Sequence, residues 1–218
     1  MCRYDLVAFD VDGTLVRGPE RRTVWEVLNQ RFTGTPDHNV ERFALYRAGK
    51  LSYAEWVELD VTGWIDAGAT RDAIVEAFAA LEAVPGTLET LHRLSEAGCK
   101  LVVISGTIDV MLNTLLPDAP FDEVYCNHLG FGDDGKISHW RATPFDMQGK
   151  AKLLRAVAMR HEIPLTRCAF VGDSDNDVWV AREAGFSIGV HPTDELAAVA
   201  DVVVRTDDLR EILPHLGL

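Results

Sequence analysis

The chain has 218 residues, 47% of them hydrophobic, which suits a compact protein of one large or two smaller domains. Thirty-four acidic residues against 21 basic ones leave a formal net charge of −13, which disfavours nonspecific binding to nucleic acid or to an anionic membrane. No apolar run is long enough to span a bilayer and residues 1–12 do not read as a leader; Cys2, Cys99, Cys126 and Cys168 lack CxxC spacing and suit reduced thiols of a cytoplasmic protein.

Leu6–Phe9 is a short, wholly apolar run, the pattern of a strand buried on both faces, and it ends in Asp10, Asp12, Gly13 and Thr14. From 18 to 84 the spacing is helical. Thr23–Phe32 carries Val24, Trp25, Val27, Leu28 and Phe32 on a helical repeat, and Asn39 is placed to cap a helix that ends at Gly49. Ser52 and Glu55 form a capping-box pattern ahead of Trp56, Leu59 and Trp64, and Thr70 is placed to cap a fourth helix through Leu81. No strand-like alternation is read in this stretch, which Pro85-Gly86 closes. Trp25, Trp56 and Trp64 are expected in its small core.

From Pro85 the pattern changes to alternating helix and strand. Thr87–Ala97, Asp109–Leu116, Gln148–His161, Asp175–Ala184 and Leu209–Leu216 read as helices. Lys100–Ser105, Glu123–Asn127, Cys168–Asp173, Phe186–Val190 and Ala200–Val204 read as strands. The first strand must join this set, because a lone strand cannot bury both faces. The expected fold is α/β, a parallel Rossmann-like sheet flanked by helices. Residues 1–17 and 85–218 would form the core domain, with a small helical cap, 18–84, inserted after the first strand.

Ligands of an open parallel sheet bind beyond the carboxyl ends of its strands. There the first strand offers Asp10, Asp12 and Thr14, the strand at Lys100 offers Ser105, Gly106 and Thr107, and the strand at Cys168 offers Asp173, Asn176 and Asp177. A helix start contributes Lys150, and Asp175 is placed to cap the helix that follows it. Converging carboxylates repel unless a cation neutralises them, and oxygen ligands without His or Cys nearby in sequence call for Mg²⁺. Hydroxyls, backbone amides and an ammonium beside that metal suit a phosphoryl group.

"DVDGT", the "VVISG" strand, the Lys150 helix start and "GDSDND" arrive in the order of the four motifs of the haloacid dehalogenase-like (HAD) phosphatases, and the chain resembles that family from Leu6 to its end. A cap between the first two motifs is the C1 type. "GKLSYAEW" and "ADVVVRTDDLREIL" resemble the phosphoserine-phosphatase-like group, subfamily IB. The resemblance implies a phosphomonoester hydrolase acting on a small phosphorylated metabolite, with phosphoserine one candidate. Asp10 would be the nucleophile, forming an aspartyl-phosphate, and Asp12 the acid/base. Mg²⁺ would be held by Asp10, the Asp12 carbonyl, Asp173 and Asp177, and the phosphoryl oxygens by Thr14, Ser105, Gly106 and Lys150. Asn176 would orient Ser105 or Lys150.

For the leaving group the resemblance calls for a Glu shortly after the first motif and an Arg in the cap. Glu20 lies one residue later than that pattern, and Arg21, Arg22, Arg42 and Arg47 are the arginines available, with Trp56 a candidate wall of the substrate entrance. Two other readings share the motifs: a phosphotransferase or mutase with the same intermediate, and a non-catalytic receiver-like module phosphorylated on Asp. The Gly130–Gly135 stretch matches GxGxxG, but "KISHW" after it reads as strand, so a β-hairpin turn is expected instead of a dinucleotide site. No histidine is assigned a role, and monomer and homodimer are both compatible with the sequence.

Overall fold

The computed structural model describes residues 2–218. Strand β1 (Leu6–Phe9) is followed by β2 (Val16–Arg17), a 3-10 turn at Pro19–Arg21, and the helices α1 (Val24–Thr33), α2 (His38–Arg47), α3 (Tyr53–Asp66) and α4 (Arg71–Ala77). A second 3-10 turn, Phe78–Ala80, leads into β3 (Glu82–Ala83). The remainder runs α5 (Thr87–Glu96), β4 (Lys100–Ile108), α6 (Asp109–Leu115), β5 (Glu123–Phe131), β6 (Ile137–Arg141) and α7 (Gln148–Arg160). It closes with β7 (Cys168–Gly172), α8 (Val178–Glu183), β8 (Phe186–Val190), α9 (Asp194–Ala197), β9 (Val202–Val204) and α10 (Leu213–Leu216).

Seven strands form one sheet in the order β6-β5-β4-β1-β7-β8-β9, parallel throughout except for β6. β1 lies between β4 and β7, so both of its faces are covered, as its apolar run requires. Alternate residues divide between two cores. Val7, Phe9, Leu101 and Val103 pack towards Leu91 and Leu94 of α5 and Met111 of α6. Leu6, Ala8, Val102 and Phe170 pack towards Leu154 and Val157 of α7 and Val180 of α8. The first core continues into the helices between β2 and β3 through Leu28, Val61, Trp64 and Phe78.

Several boundaries differ from expectation. Residues 18–84 are not wholly helical: β2 and β3 pair antiparallel, Val16 opposite Ala83, and this ribbon ties the two ends of the helical segment together. Asn39 does not cap α2, which begins at His38 with Asp37 at the capping position and no side-chain cap. α4 ends at Ala77 rather than reaching Leu81. Ser105 to Thr107 lie within β4, which runs on to Ile108 past a register shift against β5. Ser174, not Asp175, occupies the capping position before the 3-10 turn Asp175–Asp177. The Gly130–Gly135 stretch is the expected hairpin turn, in which Gly132 N donates to Lys136 O at 2.9 Å.

Helices α1 and α3 are locked by a buried polar cluster. Asn29 Nδ2 donates to Asp60 Oδ1 at 2.7 Å, Trp64 Nε1 donates to Asn29 Oδ1 at 2.8 Å, and the Arg42 guanidinium from α2 pairs with Asp60. Removing one member of a buried ion pair strands the other. Asp60→Ala is therefore expected to cost about 3 kcal/mol, read as a Tm lowered by roughly 6–12 °C in a thermal melt. No helix among the described residues is long and apolar enough to cross a membrane, and the four cysteines are free.

Candidate active site

The carboxyl ends of β1, β4 and β7 face the helices between β2 and β3 across one cavity of about 340 Å³. Asp10 N donates to Val171 O at 2.9 Å, extending the ladder by one residue and setting Asp10 beside the end of β7. The chain then turns at Gly13, whose φ of +83° lies in the left-handed region. A β-carbon at Gly13 would sit 2.0 Å from Asp173 Oδ2, so the motif needs glycine here for close approach as well as for the turn.

α7 begins after a turn in which Gly149 N donates to Asp146 O at 2.8 Å, and this directs Lys150 inward until it is completely buried. Its ammonium donates to Asp10 Oδ1 at 2.7 Å and Asp177 Oδ1 at 2.6 Å, with Asp146 Oδ1 4.0 Å away. Burial alone would lower the Lys150 pKa, but the charges of Asp10, Asp177 and Asp146 outweigh it and hold the group above its ordinary value. Asp177 Oδ2 accepts from the amides of Asp173 at 3.0 Å and Ser174 at 3.2 Å, which fixes the carboxylate.

Carboxylate oxygens of Asp10, Asp173 and Asp177 lie within 4.8 Å of one another, all three residues buried. Burial, then the charges of Asp10 and Asp177, push the Asp173 carboxyl well above the usual range. One of its oxygens, Oδ1, is buried with no hydrogen-bond partner, while Oδ2 accepts from Arg21 Nη2 at 3.2 Å. An orphaned buried carboxylate oxygen among three crowded carboxylates, with oxygen the only donor type, fits a hard divalent cation. The Asp12 carboxylate stands apart from this cluster, its Oδ1 accepting from Val24 N at the start of α1 at 2.7 Å. Burial first, and the charge of Asp10 after it, push the Asp12 carboxyl up to about 7 against the opposing Val24 amide.

Ser105 and Gly106 line the same cavity, and Thr14, two residues beyond Asp12, is fully buried. The Thr14 hydroxyl is buried and unpartnered, as a group awaiting an anionic oxygen would be, and Ser105 Oγ accepts from Thr107 N at 3.1 Å. Gly106 O is fixed by two donors, Trp25 Nε1 at 2.8 Å and Asn127 Nδ2 at 2.6 Å. A β-carbon at Gly106 would come within 2.5 Å of Asp146 Oδ2.

Other expected residues lie elsewhere. Asn176 hydrogen-bonds to neither Ser105 nor Lys150; its Nδ2 donates to Asp146 Oδ1 at 3.1 Å and its Oδ1 accepts from Ser174 Oγ at 2.8 Å. Glu20 points to solvent and takes Arg22 Nη2 at 2.8 Å, because its backbone turns into the left-handed region at φ 54°. Arg21 donates to Asp173 and to His191 O at 2.8 Å instead of facing the cavity. Arg47 lies in an adjoining cleft, 3.9 Å from Asp175 Oδ2. Trp56 does line the cavity, as does Trp25, while Trp64 is core.

Three contributors went unread in the sequence. Asp146 precedes Lys150 by four residues, the spacing at which side chains meet at a helix start, and that is its only sequence signal. Tyr53 lines the cavity and is held by buried Asn127, whose Nδ2 donates to the Tyr53 hydroxyl at 2.8 Å, and nothing in the chain order links the two.

A model of the haloacid dehalogenase-like hydrolases matches residues 7–182. Phosphoserine phosphatase SerB2 of Mycobacterium tuberculosis is 30% identical over 98% of the chain, which spans half of that relative's length. A phosphoserine phosphatase of Methanocaldococcus jannaschii is 25% identical over 97% of both chains. Among solved structures, a phospho-aspartyl intermediate analogue of phosphoserine phosphatase superposes with a TM-score of 0.77, covering 98% of this chain and 99% of its own at 24% identity, a likeness of fold.

Proposed function

The chain belongs to the haloacid dehalogenase-like hydrolase family, and on that premise we propose that it is a magnesium-dependent phosphomonoester hydrolase working through an aspartyl-phosphate on Asp10. One observation carries the reading: Asp10 and Asp12, from the end of one strand, line the cavity, and Asp10 meets Lys150, Asp173 and Asp177 from two distant segments. Relatives named phosphoserine phosphatases support a small phosphorylated metabolite as substrate, with O-phosphoserine one candidate. Residues 18–84 would serve as the cap that closes over it.

In the first step an Asp10 oxygen attacks phosphorus and the ester P–O bond breaks. The Asp12 carboxyl gives its proton to the departing alkoxide, leaving a neutral alcohol and an Asp12 carboxylate. In the second, Asp12 takes a proton from water as the resulting hydroxide attacks phosphorus, which releases inorganic phosphate and restores both side chains. Lys150, the Thr14 and Ser105 hydroxyls and the amides near Gly106 are the donors available to the three phosphoryl oxygens, where charge accumulates. Lys150 also holds the Asp10 carboxylate in position. Asp10, Asp173 and Asp177 would hold Mg²⁺, which would add positive charge against those oxygens.

The test is phosphate release from p-nitrophenyl phosphate. Steady turnover that needs Mg²⁺ and stops on chelation supports the reading; stoichiometric phosphorylation without turnover sinks it.

A further inference from the structure

The cavity above the carboxylates is unusual in its charge. Its helical wall presents Trp25, Val40, Phe43, Tyr53, Trp56 and Val57. The Trp56 ring centroid lies 6.2 Å from Phe43 and 6.1 Å from Tyr53, so three aromatic rings cluster on one side. Every charged side chain on the lining is acidic, namely Asp10, Asp12, Asp146 and Asp175; among the described residues, none that lines it is basic. Of the arginines considered for a substrate anion, Arg21 pairs with Asp173, Arg22 with Glu20 and Arg42 with Asp60, while Arg47 lies outside the cavity in the adjoining cleft. Lys150 is enclosed by Asp10 and Asp177.

A leaving group with a carboxylate would have to shed water beside these rings and two aspartates, with no cation among the lining residues to meet it. A positive leaving group meets the opposite conditions. Aromatic faces attract cations, most strongly when water is excluded, and carboxylates at the edge complete the neutralisation. Asp175 is suited to that part: its Oδ1 is buried without a partner, and Arg47, on its other oxygen, is 3.9 Å away and mostly exposed.

We infer that the substrate is the phosphate monoester of a cationic amino alcohol, its ammonium seated among Phe43, Tyr53 and Trp56 with Asp175 and Asp146 as counter-charges. This rests on the phosphatase reading above and adds the identity of the leaving group. The bonds are those already described: the phosphoryl group passes to Asp10, Asp12 protonates the amino alcohol's oxygen, and the ammonium takes no part in the transfer.

The test measures kcat/KM with Mg²⁺ for choline phosphate, ethanolamine phosphate, O-phosphoserine and the neutral isostere in which a tert-butyl group replaces the trimethylammonium. The better cationic ester is expected to exceed the isostere by at least about tenfold and O-phosphoserine by more. A preference for choline phosphate over ethanolamine phosphate assigns the binding mainly to the rings; the reverse assigns it to the carboxylates. Trp56→Leu and, independently, Asp175→Asn should drive the cation-to-isostere ratio towards one. An isostere that matches the cations, a preference for O-phosphoserine, or a ratio unmoved in both variants overturns the inference. If p-nitrophenyl phosphate is hydrolysed while the cationic preference is missing, only the leaving-group assignment falls. If no ester releases phosphate, the phosphatase reading falls with it.

Discussion

Asp10→Asn should lower kcat for every phosphomonoester by roughly 10⁴-fold or more, because the variant loses the atom that bonds to phosphorus. The loss should be chemical, not structural. Asparagine has almost the same shape, its amide oxygen can still accept from Lys150, and Lys150 keeps Asp177 at 2.6 Å. A thermal melt close to that of the parent, alongside the lost turnover, separates the two explanations. Acid quenching of the parent during turnover should trap a phosphorylated chain, visible as one added phosphoryl mass on the peptide containing Asp10. The variant should show none. A variant retaining turnover within tenfold of the parent would move the nucleophile to another residue.

The floor of this site was legible because its residues sit where strand geometry alone places them. Apolar runs at Leu6, Leu101 and Cys168 announce buried parallel strands, and the polar residues just beyond each one must share an end of the sheet. Gly13 could be read as a turn, but not as the gap through which Asp173 approaches, since that depends on a residue 160 positions away. The wall was harder. Four arginines were candidates for a substrate anion, and each meets a carboxylate of its own chain instead. Which carboxylate an arginine finds is a tertiary matter that helical periodicity does not encode. Asn176 was misread for a related reason. A 3-10 turn, Asp175–Asp177, stands where the first turn of a regular helix is expected, and Asn176 within it bonds to Asp146 rather than to Ser105. Short β2 and β3 carried too few residues for a two-residue period to register.

Asp12 should divide substrates by the basicity of their leaving groups. Its carboxyl is pushed up to about 7 by burial and by the neighbouring Asp10, so it holds its proton below that pH and loses it above. An alkyl phosphate leaves as a strongly basic alkoxide and needs that proton. Its rate of phosphoenzyme formation, followed by rapid quench, should therefore fall as pH rises through about 7. p-Nitrophenolate is stable as an anion, so with p-nitrophenyl phosphate the same step should show no such limb. Asp12→Asn should extend the contrast: the alkyl ester slows by roughly 10²–10⁴-fold, while p-nitrophenyl phosphate still phosphorylates the chain. Hydrolysis of the aspartyl-phosphate should slow in the same variant, because no base remains to take the water's proton, and phosphorylated chain should accumulate. Equal losses on both esters, or rapid release of phosphate from the variant, would show that the proton travels by another group. Asp12 would then be held by the Val24 amide for structure alone, a carboxylate anchoring the start of α1.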